Sequence, residues 1–106
     1  VPICQVDGST VRTVEGLAPV QPGAGHPASP DALNPLQRAF LETGGAQCGI
    51  CTPGMLMAGE AFLASGAPPT DLAIREAIAG NLCRCTGYTK IIEAIALAAA
   101  RREAPE

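Results

Sequence analysis

Four of the five cysteines in this 106-residue chain stand in two tight pairs. Cys48 and Cys51 lie in Gln47-Cys48-Gly49-Ile50-Cys51-Thr52-Pro53-Gly54. Cys83 and Cys85 lie in Asn81-Leu82-Cys83-Arg84-Cys85-Thr86-Gly87-Tyr88. Each pair directly precedes a segment that reads as a helix. Two loops at helix N-termini, each offering two thiolates, can close around one metal centre. That requirement constrains the fold more than any other feature of the chain.

Four thiolates suit a tetrahedral zinc or an iron–sulfur cluster. In a [2Fe–2S] cluster each iron takes two protein sulfurs, so two close pairs are a natural supply. A helix N-terminus favours the thiolate through its unpaired N–H groups and the positive end of the dipole. Those N–H groups can also donate to cluster sulfides and tune the potential. Structural zinc usually has two to four residues between paired cysteines. The single residue between Cys83 and Cys85 therefore leans toward iron–sulfur. Spacing alone leaves zinc and disulfides open.

The rest of the chain reads as a frame for these loops. Residues 1–6 and 10–14 read as two strands around Asp7-Gly8, a strong two-residue turn signal. An isolated hairpin is barely stable in water, so this one must lean on other structure. Residues 18–33 read as an irregular Pro/Gly linker that includes His26, a solvated side chain. Four helices follow. Asn34-Pro35 is a cap followed by proline, Leu36, Ala39 and Phe40 share a face, and Gly44-Gly45 stops the helix. Thr52-Pro53 repeats the cap-then-proline signal, with Met55, Ala58, Phe62 and Leu63 as the apolar stripe. Both methionines read as core packing. Gly59 inside this helix costs about 1 kcal/mol relative to Ala, which a close neighbouring helix or loop would justify. Thr70-Asp71 caps a short third helix with Ile74 and Ile78 inward and Gly80 as its stop. The fourth helix starts near Tyr88, sends Ile91, Ile92, Ile95 and Ala98 to the core, and carries Arg101 and Arg102 in its last turn. Tyr88 reads as a packed residue with its hydroxyl tied to a neighbour. Arg84 either offsets thiolate charge or faces solvent. Helices two and four, side by side, would present all four thiolates at one pole.

Composition excludes several classes. The formal net charge of −3 argues against nucleic acid as the main partner. No apolar run is long enough to span a membrane, and no secretory signal opens the chain. Clustered cysteines without such a signal read as metal ligands, and the expected location is cytoplasmic.

Gln47-Cys48-Gly49-Ile50-Cys51-Thr52-Pro53-Gly54-Met55, followed by Gly80-Asn81-Leu82-Cys83-Arg84-Cys85-Thr86-Gly87-Tyr88, resembles the helical [2Fe–2S] domain of the molybdenum hydroxylases. This is the xanthine dehydrogenase and aldehyde oxidoreductase family. The likeness runs from Val1 to about Ala100. It implies a mainly α fold: a four-helix [2Fe–2S]-binding bundle over residues 34–102, with an approximate two-fold relation between helix pairs and a polar tail at 103–106. Residues 1–17 would be the closing β-hairpin of a preceding plant-type ferredoxin domain, whose remainder is expected upstream.

The resemblance further implies an electron-transfer role in an oxidoreductase, with no catalytic residue in this chain. Electrons would pass from a molybdenum–pterin site, of the cytosine dinucleotide type, through this cluster to a second [2Fe–2S] cluster and FAD. The substrate would be an aldehyde or an N-heterocycle. A large molybdenum-binding subunit and an FAD-binding subunit are the implied partners. Because the chain ends about twenty residues after Cys85, separate subunits are expected. Cys48, Cys51, Cys83 and Cys85 match the family's cluster ligands, and Gln47 and Cys85 match its pterin contact. Cys4 would be a buried strand residue, since the last ferredoxin-domain ligand would fall upstream of Val1. The alternative from another class is a small zinc-binding interaction module.

Overall fold

The computed structural model describes residues 2–17 and 33–103. Four helices follow one another: α1 (Pro35–Thr43), α2 (Thr52–Ala64), α3 (Asp71–Ala77) and α4 (Thr89–Glu103). Most of the expected linker, including His26, lies outside the described residues.

Helix α1 starts where its capping signals sit. Asn34 Oδ1 accepts the Gln37 N–H at 2.9 Å and Gln37 Oε1 accepts the Asn34 N–H at 3.0 Å, a reciprocal capping box. Gly44, at φ +78°, ends the helix in the left-handed conformation that glycine adopts without steric cost. Thr70 Oγ1 caps α3 by accepting the Ala73 N–H at 3.1 Å. Helix α3 stops at Ala77, three residues before the expected Gly80, because Ile78 already leaves helical geometry. Helix α2 departs from expectation by one residue. Cys51, not Thr52, holds the N-cap position, and Thr52 is the first helical residue.

The core gathers Leu36, Ala39 and Phe40 of α1, Met55, Leu56 and Phe62 of α2, and Ile91, Ile92, Ala94, Ile95 and Ala98 of α4, with Ile74 and Ile78 closing one side. Helices α1 and α4 share the most extensive contact. Gly59 lies where α2 meets both of them. A Cβ there would stand 3.0 Å from Leu36 Cδ2 and 3.3 Å from Ile95 Cδ1, the close approach the sequence called for.

Among the described residues, one charged side chain is buried in this frame. Glu60 of α2 accepts from Arg102 of α4 at 2.7 Å and from Asn34 Nδ2 at 3.2 Å. A buried carboxylate needs such partners, because its desolvation is otherwise uncompensated. Arg101 pairs with Glu42 of α1. The two arginines expected to complement the α4 dipole therefore also tie its end to α1 and α2.

The expected N-terminal hairpin does not form. Its turn is present, with Ser9 N–H bonded to Val6 O at 2.9 Å and Gly8 at φ +76°. The flanking residues are 3-10 turns, Ile3–Gln5 and Val14–Gly16, and there is no strand among the described residues. A strand needs a ladder partner and a buried face, and Ile3 (87% exposed) and Val11 (71% exposed) have neither. The segment instead docks through Leu17, which is buried, and Val14, which packs against the core. Cys4 is exposed, which corrects its expected burial. No helix among the described residues is long and apolar enough to cross a membrane.

Candidate metal centre

The first cysteine loop runs from the end of α1 into α2. Gly49, at φ +84°, turns the chain, and the Thr52 N–H reaches back to Gly49 O at 3.4 Å. The Met55 N–H bonds to Cys51 O at 3.0 Å, so Cys51 is fixed to the first turn of α2. Pro53 sits in that turn, where its missing N–H breaks no helical bond.

The second loop leaves α3 through a turn, Asn81 N–H to Ile78 O at 2.9 Å. The Asn81 side chain then lies against α2. Its Oδ1 is 2.5 Å from where a Cβ on Gly54 would stand, so the second loop touches the first turn of α2 at a position only glycine leaves open.

A closed ring of hydrogen bonds surrounds Cys83. Its N–H donates to the Tyr88 hydroxyl at 3.0 Å. The Tyr88 N–H donates to Thr86 Oγ1 at 3.1 Å, and Thr86 Oγ1 lies 3.0 Å from Cys83 Sγ. The Thr86 N–H approaches the same sulfur at 3.5 Å. Gly87 and Tyr88 both have positive φ, +67° and +73°. For tyrosine that conformation costs about 1–2 kcal/mol. The hydroxyl bond to the Cys83 loop and the ring's packing against the core offset it. Tyr88 thus has the packed, tethered role expected of it.

The four thiols meet across the loops. Cys51 is the neighbour of Cys83, and Cys48 of Cys85. Burial and the nearby Cys83 and Cys48 raise the Cys51 pKa. The Thr52 hydroxyl acts the other way. It is close enough to favour the Cys51 thiolate, yet it is buried and makes no hydrogen bond of ordinary geometry. Cys83 is lowered to about 7, chiefly by the Thr86 hydroxyl, then by the Thr86 and Cys85 N–H groups and by Cys51. Cys85 is raised, mainly by the neighbouring Cys48 thiol. Cys48 and Cys85 are exposed, whereas Cys51 and Cys83 are half-buried.

This donor set fits a two-iron cluster. A mononuclear zinc needs four sulfurs at ~2.3 Å from one point. A [2Fe–2S] cluster needs four protein sulfurs, two for each iron, and the two loops bring four thiols to one place. The family model described as "[2Fe-2S] binding domain" matches residues 13–96. The chain belongs to the [2Fe–2S] binding domain family.

The relatives share this domain within longer proteins. The nicotinate dehydrogenase small FeS subunit of Eubacterium barkeri is 46% identical over 97 residues, 92% of this chain and 55% of that protein. The xanthine dehydrogenase of Dictyostelium discoideum is 43% identical over 93 residues, 88% of this chain and 6% of that protein. The crystal structure of the aldehyde oxidoreductase from Desulfovibrio desulfuricans ATCC 27774 superposes with a TM-score of 0.72 at 36% identity. That match covers 86% of this chain and 9% of the other. The [2Fe–2S] binding domain thus spans about half of the small FeS protein it matches and a far smaller share of the two longer chains.

The structure brings Cys48, Cys51, Cys83 and Cys85 together and leaves Gln47 exposed beside them. Arg84 is exposed, the solvent-facing alternative. Sequence reasoning missed Thr52, Thr86 and the Gly54–Asn81 contact. The signal for the threonines was present: a Cys-Thr dipeptide closes both loops.

Proposed function

We propose that this chain is the electron-transfer [2Fe–2S] domain of a molybdenum-containing oxidoreductase acting on aldehydes or N-heterocycles. Cys48, Cys51, Cys83 and Cys85 hold the cluster. The observation that carries this reading is the pairing of the four thiols across two loops at one exposed pole. The names of the relatives supply the substrate range: a nicotinate dehydrogenase, a xanthine dehydrogenase and an aldehyde oxidoreductase.

A [2Fe–2S] cluster bound here supplies a centre that takes and gives up one electron at a time. The protein's own residues supply the rest. Helix α2 fixes Cys51, and the Tyr88–Thr86 ring fixes Cys83. Beside the ligands, Ile50 (86% exposed) and Leu82 (85% exposed) form an apolar rim. Large apolar side chains at a pole that also carries polar ligands suit docking onto another protein surface. The partner in this reading is a large molybdenum–pterin subunit, of the cytosine dinucleotide type, and Gln47 and Cys85 face its pterin. Gln47 can both donate and accept there, and a metal-bound Cys85 sulfur can accept. A second [2Fe–2S] cluster and an FAD-binding subunit lie further along the path. An approximate two-fold relation between the α1–α2 and α3–α4 pairs suits the sequence of short then long helix.

The test uses the complete enzyme and the Gln47→Ala variant. The expected result is an intact cluster with slower substrate-driven reduction, followed by rapid-freeze EPR, or with lower pterin content. Wild-type reduction rate and pterin content together would remove Gln47 from the path. A zinc-binding module would show no visible absorption and no substrate-dependent signal.

A further inference from the structure

We propose that the hydroxyls of Thr52 and Thr86 donate hydrogen bonds to the sulfurs of Cys51 and Cys83 and hold the reduction potential of the centre above the value those ligands would give alone. The inference rests on the four-cysteine [2Fe–2S] reading above. It assigns Thr52 and Thr86 as positioning and tuning residues, since they act through the ligand sulfurs.

At Thr86 the hydrogen-bond pattern settles the direction of donation. A hydroxyl has one proton and two lone pairs. The Tyr88 N–H already uses Thr86 Oγ1 as acceptor at 3.1 Å. The Thr86 proton is free to go elsewhere, and Cys83 Sγ lies 3.0 Å away. A metal-bound cysteine is a thiolate with no proton of its own to give. Thr86 must therefore be the donor, and the Thr86 N–H, at 3.5 Å, adds to it.

At Thr52 there is an unmet need. Its Oγ1 is buried and makes no hydrogen bond. Thr52 directly follows Cys51 and favours negative charge on that sulfur. A buried donor without a partner is costly, and a ligand thiolate is the acceptor that would satisfy it. The two hydroxyls thus act on one thiol pair, Cys51 and Cys83, which are themselves neighbours. This is the half-buried pair. Water cannot easily replace the donors there, so their loss would not be made good by solvent.

The sign follows from charge. Reduction adds one electron to the centre. A donor aimed at a ligand sulfur stabilises the more negative state more strongly. Removing the donor makes reduction harder.

The experiment is an EPR-monitored redox titration of the full-length protein with dithionite as reductant. The relevant signal is the one abolished by Cys83→Ala. Thr86→Val keeps the side-chain shape and deletes the hydroxyl. It should lower the equilibrium constant for reduction about tenfold, which is ~59 mV for a one-electron couple. Thr86→Ser keeps the proton and should return the potential toward wild type. Thr52→Val keeps the side-chain shape and deletes a hydroxyl that bonds nothing else, so the fold should tolerate it, and its potential should also fall. If Thr86→Val fails to load metal, Thr52→Val decides: an unchanged potential there overturns the proposal. Wild-type potentials in both loaded valine variants overturn it as well. Wild-type protein without two irons at this site would refute the underlying [2Fe–2S] reading, and this inference with it.

Discussion

Cys83 is the thiol on which most of the local structure converges. Its sulfur faces Thr86 and Cys51, and its N–H is held by Tyr88. In metal-free protein its pKa of about 7 lets it ionise near neutrality, whereas burial holds Cys51 protonated to higher pH. The thiolate is the reactive form, so alkylation of Cys83 should rise with a midpoint near pH 7 and outpace Cys51 at pH 7.5. Peptide mapping after brief iodoacetamide treatment reads this directly. Equal rates at the two sites would contradict the assigned environments. Tyr88→Phe removes the acceptor for the Cys83 N–H while keeping the ring. A part-buried donor left unpaired should cost about 1 kcal/mol. The expected readouts are a lower urea midpoint and faster iron loss to a chelator, and unchanged values for both would show that the hydroxyl bond does not brace the loop.

Among the elements, α2 carries the closest packing. Gly59→Ala gains helix propensity of about 1 kcal/mol. It also places a methyl 3.0 Å from Leu36 Cδ2 and 3.3 Å from Ile95 Cδ1, both fully buried. Overpacking of this kind typically costs about 1–3 kcal/mol, so a net loss near 1 kcal/mol is expected in urea unfolding. A gain would mean that the neighbours yield easily. The helices themselves were legible because cap, proline and glycine signals bracket each apolar stripe. Asn34 and Thr70 cap where they stand, and Gly59 marks a real contact. Cys51 took the place of Thr52 because the loop that delivers the thiol also starts the helix. The Glu60–Arg102–Asn34 link was not legible, since nothing local pairs residues 42 positions apart. The hairpin was misread because period-two patterning and a strong turn signal cannot supply a sheet partner. The cysteines were visible as two pairs, but their cross-loop partnering and the threonine hydroxyls depend on how α2 and the loop after α3 meet.

For the whole molecule, the helices serve to bring two loops distant in sequence to one pole. The Glu60–Arg102–Asn34 link joins α1, α2 and α4 at their ends away from the cysteines, while the Gly54–Asn81 contact joins the second loop to the start of α2. Ile50 and Leu82 stay outside the core, on the cysteine pole. The molecule is thus divided between a buried apolar frame and a pole of four cysteines flanked by exposed Ile50 and Leu82. In the proposed function that pole is the docking face. Everything in this account depends on the four cysteines sharing one cluster. Because binding energy at such a site is also folding energy, removing one ligand should release the metal and weaken the fold together. The most direct measurement is iron and acid-labile sulfide per helical domain in wild type, Cys51→Ala and Cys83→Ala. The account predicts two irons and two sulfides in wild type and their loss from this domain in both variants. A full complement in either variant, or zinc in place of iron in wild type, would contradict it.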